Sequence, residues 1–149
     1  MWRDEPTNAV AVVRGPLVFA LPLEEAARTL KTWQPFNNTD FELSTSSTWN
    51  VALVLDAAQP NRTLQYTEYE YGEPALPFDA VGCPLAVLAD VRVVPAWSLD
   101  AVPLTAAEPP PSPVLCGGGG GPSRRVRLTP YGATNLRIAG LPWTHLAGE

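Results

Sequence analysis

The chain has 149 residues, 46% of them apolar and 17% charged, with a formal net charge of −5. That is the composition of one folded domain able to bury a substantial core, and its sign disfavours a phosphate backbone as partner. Seventeen prolines and eleven glycines argue for many turns and little helix, no apolar run reaches the ~20 residues of a membrane helix, and the first residues lack the apolar segment of a signal peptide, although targeting and compartment stay unreadable.

In chain order, Asn8 to Val13 and Leu17 to Leu21 read as strands apolar enough to be buried on both faces, with a bend at Gly15-Pro16. Their abrupt start suggests the tail of a larger protein. Leu23 to Trp33 is the single helical candidate: Leu23, Ala26, Ala27, Leu30 and Trp33 form one stripe, with carboxylates in the first turn, Pro22 before it and Pro35 after it. Asp40-Phe41-Glu42-Leu43 alternates. Trp49 to Asp56 is a mid-sheet strand, Arg62 to Tyr71 alternates in its second half with Tyr69 and Tyr71 on one face, and Leu85 to Val94 is a further strand closed by Pro95 and Trp97. The stretch at about 102–123, with its triple proline and five glycines, reads as a flexible surface loop. Arg124 to Leu128 and Thr134 to Ala139 flank a turn at Thr129-Pro130-Tyr131-Gly132. The whole predicts an all-β, antiparallel sandwich over 1–149 as a single domain or fragment incomplete at its N-terminal edge, with one short helix.

No catalytic, cofactor or metal site assembles from the residues. Cys83 and Cys116 are 33 positions apart, His145 is the lone histidine, and zinc sites need three or four ligands at recognisable spacing. A disulfide between the two cysteines stays open, chiefly for an exported protein. Asp40 with Glu42, and Glu68 with Glu70, share strand faces at separations glycosidases use, but any solvent face of a sheet produces such pairs. Asn37-Asn38-Thr39 and Asn61-Arg62-Thr63 fit the glycosylation sequon. Arg124-Arg125-Val126-Arg127 alternates as a strand rather than forming a basic patch. Trp49 and Trp97 read as packed inside, Tyr69 and Tyr71 as a sugar-stacking platform or a packed face, and Trp143 as an anchor for the C-terminus. Arg14 is expected to tie its turn to Asp56 or Asp90, and Tyr131 to serve as a corner tyrosine.

Four segments, Arg14-Gly15-Pro16-Leu17-Val18-Phe19, Thr48 to Asp56, Val94-Pro95-Ala96-Trp97 and Leu128 to Ile138, together resemble the C-terminal region of glycoside hydrolase family 127, which includes β-L-arabinofuranosidases. The resemblance implies an (α/α)6 catalytic barrel followed by β-sandwich domains, with a cysteine nucleophile in a zinc site inside the barrel. None of the barrel motifs occurs in this sequence, so the chain is expected to be a non-catalytic sandwich whose partner is an upstream barrel of the same protein. The alternatives are a carbohydrate-binding module that takes glycans on Tyr69, Tyr71 and Trp143, and a structural or oligomerisation domain. Nucleic acid and membrane are not expected partners.

Overall fold

The computed structural model describes residues 7–69, 79, 82–99, 108–115 and 122–145. Among them the protein is built from ten strands: β1 (Val12–Arg14), β2 (Leu17–Pro22), β3 (Ala26–Trp33), β4 (Asn38–Ser44), β5 (Val51–Leu55), β6 (Leu64–Glu68), β7 (Leu85–Val93), β8 (Arg124–Pro130), β9 (Arg137–Ile138) and β10 (Trp143–His145). Single 3-10 turns occupy Pro60–Arg62 and Tyr131–Ala133.

Eight strands form one sheet in the order β1-β2-β8-β7-β5-β10, with β6 on β7 and β9 on β2. β1 and β2 make a tight hairpin in which Arg14 faces Leu17, and Gly15 takes φ +56°, a conformation that costs glycine nothing for want of a Cβ. Its first strand is not buried on both faces as its apolarity suggested, since Val13 is 58% exposed while Val12 points inward. At the sheet edge one face of β1 has no layer above it.

β5 and β7 organise the interior. All five residues of β5 are buried: Val51 and Leu53 join Phe19, Val87, Val91, Leu128 and Leu141 on one face, and Ala52 meets Val94 and Trp97 on the other. A strand covered on both faces reads as a continuous apolar run rather than an alternation. β7 does alternate, with Val87, Ala89 and Val91 inward, and it pairs with β8 along one edge and with β6 and β5 along the other.

The sheet is mixed, which corrects the purely antiparallel expectation: β10 runs parallel to β5, Thr144 beside Val54. Only hairpin connections force neighbours antiparallel, and β10 reaches β5 from the far end of the chain, so its direction is set by how the chain arrives. The sheet also curls until the lead-ins to its first and last strands meet. Val10 N–H donates to the Leu141 carbonyl at 2.8 Å and Leu141 N–H returns to Val10 at 2.9 Å. The proline-rich piece at 108–115 lies over this junction: Ser112 N–H bonds the Thr7 carbonyl, its hydroxyl accepts from Trp143 N–H, and Val114 N–H bonds the Trp143 carbonyl. The rest of the 102–123 stretch, apart from 122–123, lies outside the described residues.

The helix expected over Leu23 to Trp33 does not exist. From Ala26 onward the segment is β3, paired with β4 in a separate two-stranded hairpin, and every residue of it is exposed. The stripe Leu23-Ala26-Ala27-Leu30-Trp33 finds no layer to pack on, and a lone helix of about eleven residues is marginal without one. Cross-strand partners supply what packing does not.

Candidate docking hairpin and outer sheet face

The hairpin begins at an anchor. Glu25 Oε1 accepts hydrogen bonds from the N–H groups of Asn135 and Leu136, both at 2.8 Å, and from the Thr134 hydroxyl, while Oε2 accepts from the Asn135 side-chain amide at 2.9 Å. These donors, the Asn135 amide first, hold its carboxyl below the usual carboxylate value of 4.5. Glu24 N–H adds a bond to the Ser47 hydroxyl. Of the two carboxylates read as helix-start residues, that of Glu25 is used where the chain leaves the sheet, and it is the residue that sequence reasoning missed, because its partners lie 109 to 111 positions away.

Beyond the anchor the strands hold each other. Arg28 pairs with Glu42 through both Nε and Nη2, Trp33 Nε1 donates to Asp40 at 2.7 Å, Lys31 Nζ sits 3.3 Å from the Trp33 ring centre, and the hydroxyls of Thr32 and Thr39 are 3.2 Å apart. The turn is tied by Gln34 Nε2 donating to Asn37 Oδ1, with Asn37 at φ +52°. The charges are therefore satisfied within the hairpin, while its apolar groups are not: Leu30, Trp33, Phe36 and Phe41 are all half exposed or more, Phe36 to 80%. Between the hairpin and the sheet runs a groove of about 620 Å³ lined by Glu25, Ala27, Thr39, Phe41, Leu43 and Asn135.

A second surface is the outer face of β6, β7 and β8. Here Leu88 lies opposite Arg127 and Asp90 opposite Arg125, with Arg92 two residues further along. Arg125 Nη2 donates to Gln65 at 2.9 Å and its Nη1 is 3.9 Å from Asp90. Arg127 donates to the Cys83 carbonyl and lies 5.5 Å from the Tyr69 ring centre. The alternation of Arg124 to Arg127 is that of a strand, and the register places Arg92 of the neighbouring strand on the same face as Arg125 and Arg127.

The remaining sequence-derived residues are dispersed. Tyr69 is 47% exposed, and Tyr71, Glu70 and Cys116 lie outside the described residues. Trp143 is in β10, where Nε1 donates to the Asn8 carbonyl and its ring meets His145 edge-on. Trp97 is buried and half-buried Trp49 packs edge-on against it at 5.1 Å, with Asn50 Nδ2 donating to the carbonyls of Val94 and Trp97. Arg14 reaches neither Asp56 nor Asp90: it is exposed, and its guanidinium lies 3.7 Å from the Tyr66 ring centre. The Tyr66 hydroxyl donates to Glu68, which pushes its own pKa up. Tyr131 is partly exposed and receives Arg137 on its ring face at 3.7 Å. Asp56, read as the end of a strand and as one of two candidate partners for Arg14, is buried and caps the next turn by accepting from Ala58 and Gln59 N–H and from Arg62 Nη1. An aspartate two residues before a turn carries that signal in sequence.

For chemistry, Cys83 is buried, its Sγ 3.7 Å from the Leu85 carbonyl, in the wall of an apolar pocket of about 630 Å³ formed by Pro16, Leu17, Pro84, Pro130, Tyr131 and neighbours. Asp40 and Glu42 are engaged by Trp33 and Arg28. Among the described residues no group of three or more His, Cys, Asp or Glu could hold a metal ion, and no helix is long and apolar enough to cross a membrane. Compared with family models, with curated proteins and with solved structures, the chain matches none.

Proposed function

We propose that this chain is a non-catalytic β-sandwich module of a glycoside hydrolase family 127-like protein, packing on a helical-barrel catalytic domain that hydrolyses β-L-arabinofuranoside-type glycosidic bonds. The observation that carries the reading is the β3–β4 hairpin: its charges are paired internally, its backbone is anchored through Glu25, and its apolar side chains project without a layer over them. Isolated exposed apolar residues are ordinary, but a clustered set on one projecting element fits a surface covered by another domain. The segments that carry the family resemblance support the same reading by packing together on the two faces of β5. Phe19 lies beside Pro130, Val94 N–H bonds the Asn50 carbonyl, Trp49 packs on Trp97, and Leu21 pairs with Ile138.

In this reading β5, covered on both faces, is an inner strand of the sandwich, and any zinc and cysteine nucleophile belong to the barrel. The hairpin then sets how the module sits on that domain. The test is hydrolysis of an aryl β-L-arabinofuranoside by the purified chain, supplied with zinc and a thiol reductant. No release above the blank is expected; release that disappears in Cys83→Ala overturns the proposal.

A further inference from the structure

We propose that Asn61 is an acceptor for an N-linked glycan, taken in preference to Asn37, the other asparagine that heads a sequon. The inference does not rest on the module reading above.

The turn after β5 is fixed by its own groups and leaves Asn61 unused. Buried Asp56 accepts from the Ala58 and Gln59 N–H groups and from Arg62 Nη1. Arg62 N–H bonds the Gln59 carbonyl, and Thr63 places both its N–H and its hydroxyl on the Pro60 carbonyl. Between these anchors Asn61 is exposed, and its side-chain amide bonds none of the described residues. A glycan on Nδ2 therefore leaves every contact of the turn in place. At Asn37 the amide is already engaged: Gln34 Nε2 donates to its Oδ1 at 2.9 Å, on a backbone held at φ +52°.

The two sequons also close at different stages of synthesis. Asn37 lies in the link between β3 and β4, which pair only with each other, Trp33 beside Asn38. A hairpin closes in about 1–10 μs, whereas a ribosome takes roughly 50–200 ms over each residue, so Asn37 can enter its turn soon after β4 is made. Asn61 lies between β5 and β6, whose partners are β7 and, for β5, also β10, strands that begin only at Leu85 and Trp143. Until β7 exists, Asn61-Arg62-Thr63 is an open segment with its hydroxyl free for a transferase to read, and Arg62 between the two is not the proline that would block it.

In the transfer, Asn61 Nδ2 attacks the anomeric carbon of an oligosaccharide carried on a lipid pyrophosphate. The new bond joins that carbon to nitrogen as its bond to the phosphate oxygen breaks, the pyrophosphate leaves with the electron pair, and Nδ2 gives one proton to a base of the transferase.

The experiment expresses the full chain behind a cleavable secretion leader in eukaryotic cells and collects it from medium and cell extract. An amidase that converts a glycan-bearing asparagine to aspartate then marks occupied sites for peptide mass mapping. Expected are a glycan on Asn61 in most molecules, at least threefold higher occupancy there than at Asn37, and loss of that mark in both Thr63→Ala and Asn61→Gln, the second of which keeps the Thr63 bonds. The thermal midpoint of the glycosylated chain should be no lower than that of Asn61→Gln. An unmodified Asn61, occupancy of Asn37 equal to or above it, a mark that persists in Thr63→Ala, or a lowered midpoint in the glycosylated chain overturns the proposal.

Discussion

Glu25 and Asn135 meet through both oxygens of the carboxylate, one taking the asparagine backbone N–H at 2.8 Å and the other its side-chain amide at 2.9 Å. This contact fixes where the chain departs from the sheet into the hairpin, and it joins residues near the two ends of the sequence. Replacing Glu25 by alanine should cost about 1–2 kcal/mol, read from urea unfolding, because the turn N–H groups lose a charged acceptor. Glu25→Gln keeps one acceptor oxygen and should cost less.

The same carboxylate gives a signed dependence on pH. Its pKa is lower in the folded chain than the ordinary 4.5, so the unfolded state takes up the proton first as pH falls. The stabilisation is complete well above pH 4.5 and drains away as pH drops through the folded value. Thermal midpoints of the parent chain and of Glu25→Ala should therefore converge as the solution is acidified below pH 4.5, and a constant gap would contradict the assignment.

Asp56 tests whether a buried side chain sets a turn. Asp56→Ala leaves the Ala58 and Gln59 N–H groups without their acceptor and should cost about 2–3 kcal/mol. Arg62→Ala should cost less than half as much, since the arginine is largely exposed and the two backbone donors still hold the carboxylate.

Leu53 and Leu30 carry similar side chains in opposite settings. Leu53 is fully buried in the main core and Leu30 is more than half exposed on the hairpin. Leu53→Ala should lower unfolding stability by about 2–5 kcal/mol, and Leu30→Ala by no more than about 0.5 kcal/mol in the purified chain.

Much of the sheet was legible because its signals are local. β5 and β7 are strong apolar runs bounded by turn residues, and Gly15-Pro16 marks the first hairpin. What could not be read depends on partners distant in sequence. The 23–33 segment has helical spacing, but its state was decided by Glu42, Asp40 and Thr39 across the hairpin and by Asn135 at its base. The arginines of β8 alternate as expected, yet only the register of β8 on β7 reveals that Arg92 joins them. The parallel approach of β10 likewise follows from tertiary placement, and no residue within Trp143–His145 encodes it.

The central claim is that the hairpin is a surface meant to be covered by a catalytic domain. The most direct measurement compares Phe36→Ser/Phe41→Ser in the purified chain and in a longer protein carrying the proposed helical domain, by thermal unfolding of each. The account predicts a midpoint nearly unchanged in the purified chain, where both rings are exposed, and clearly lowered in the longer protein, where the proposal has both covered. Equal midpoints for parent and variant in the longer protein would contradict it.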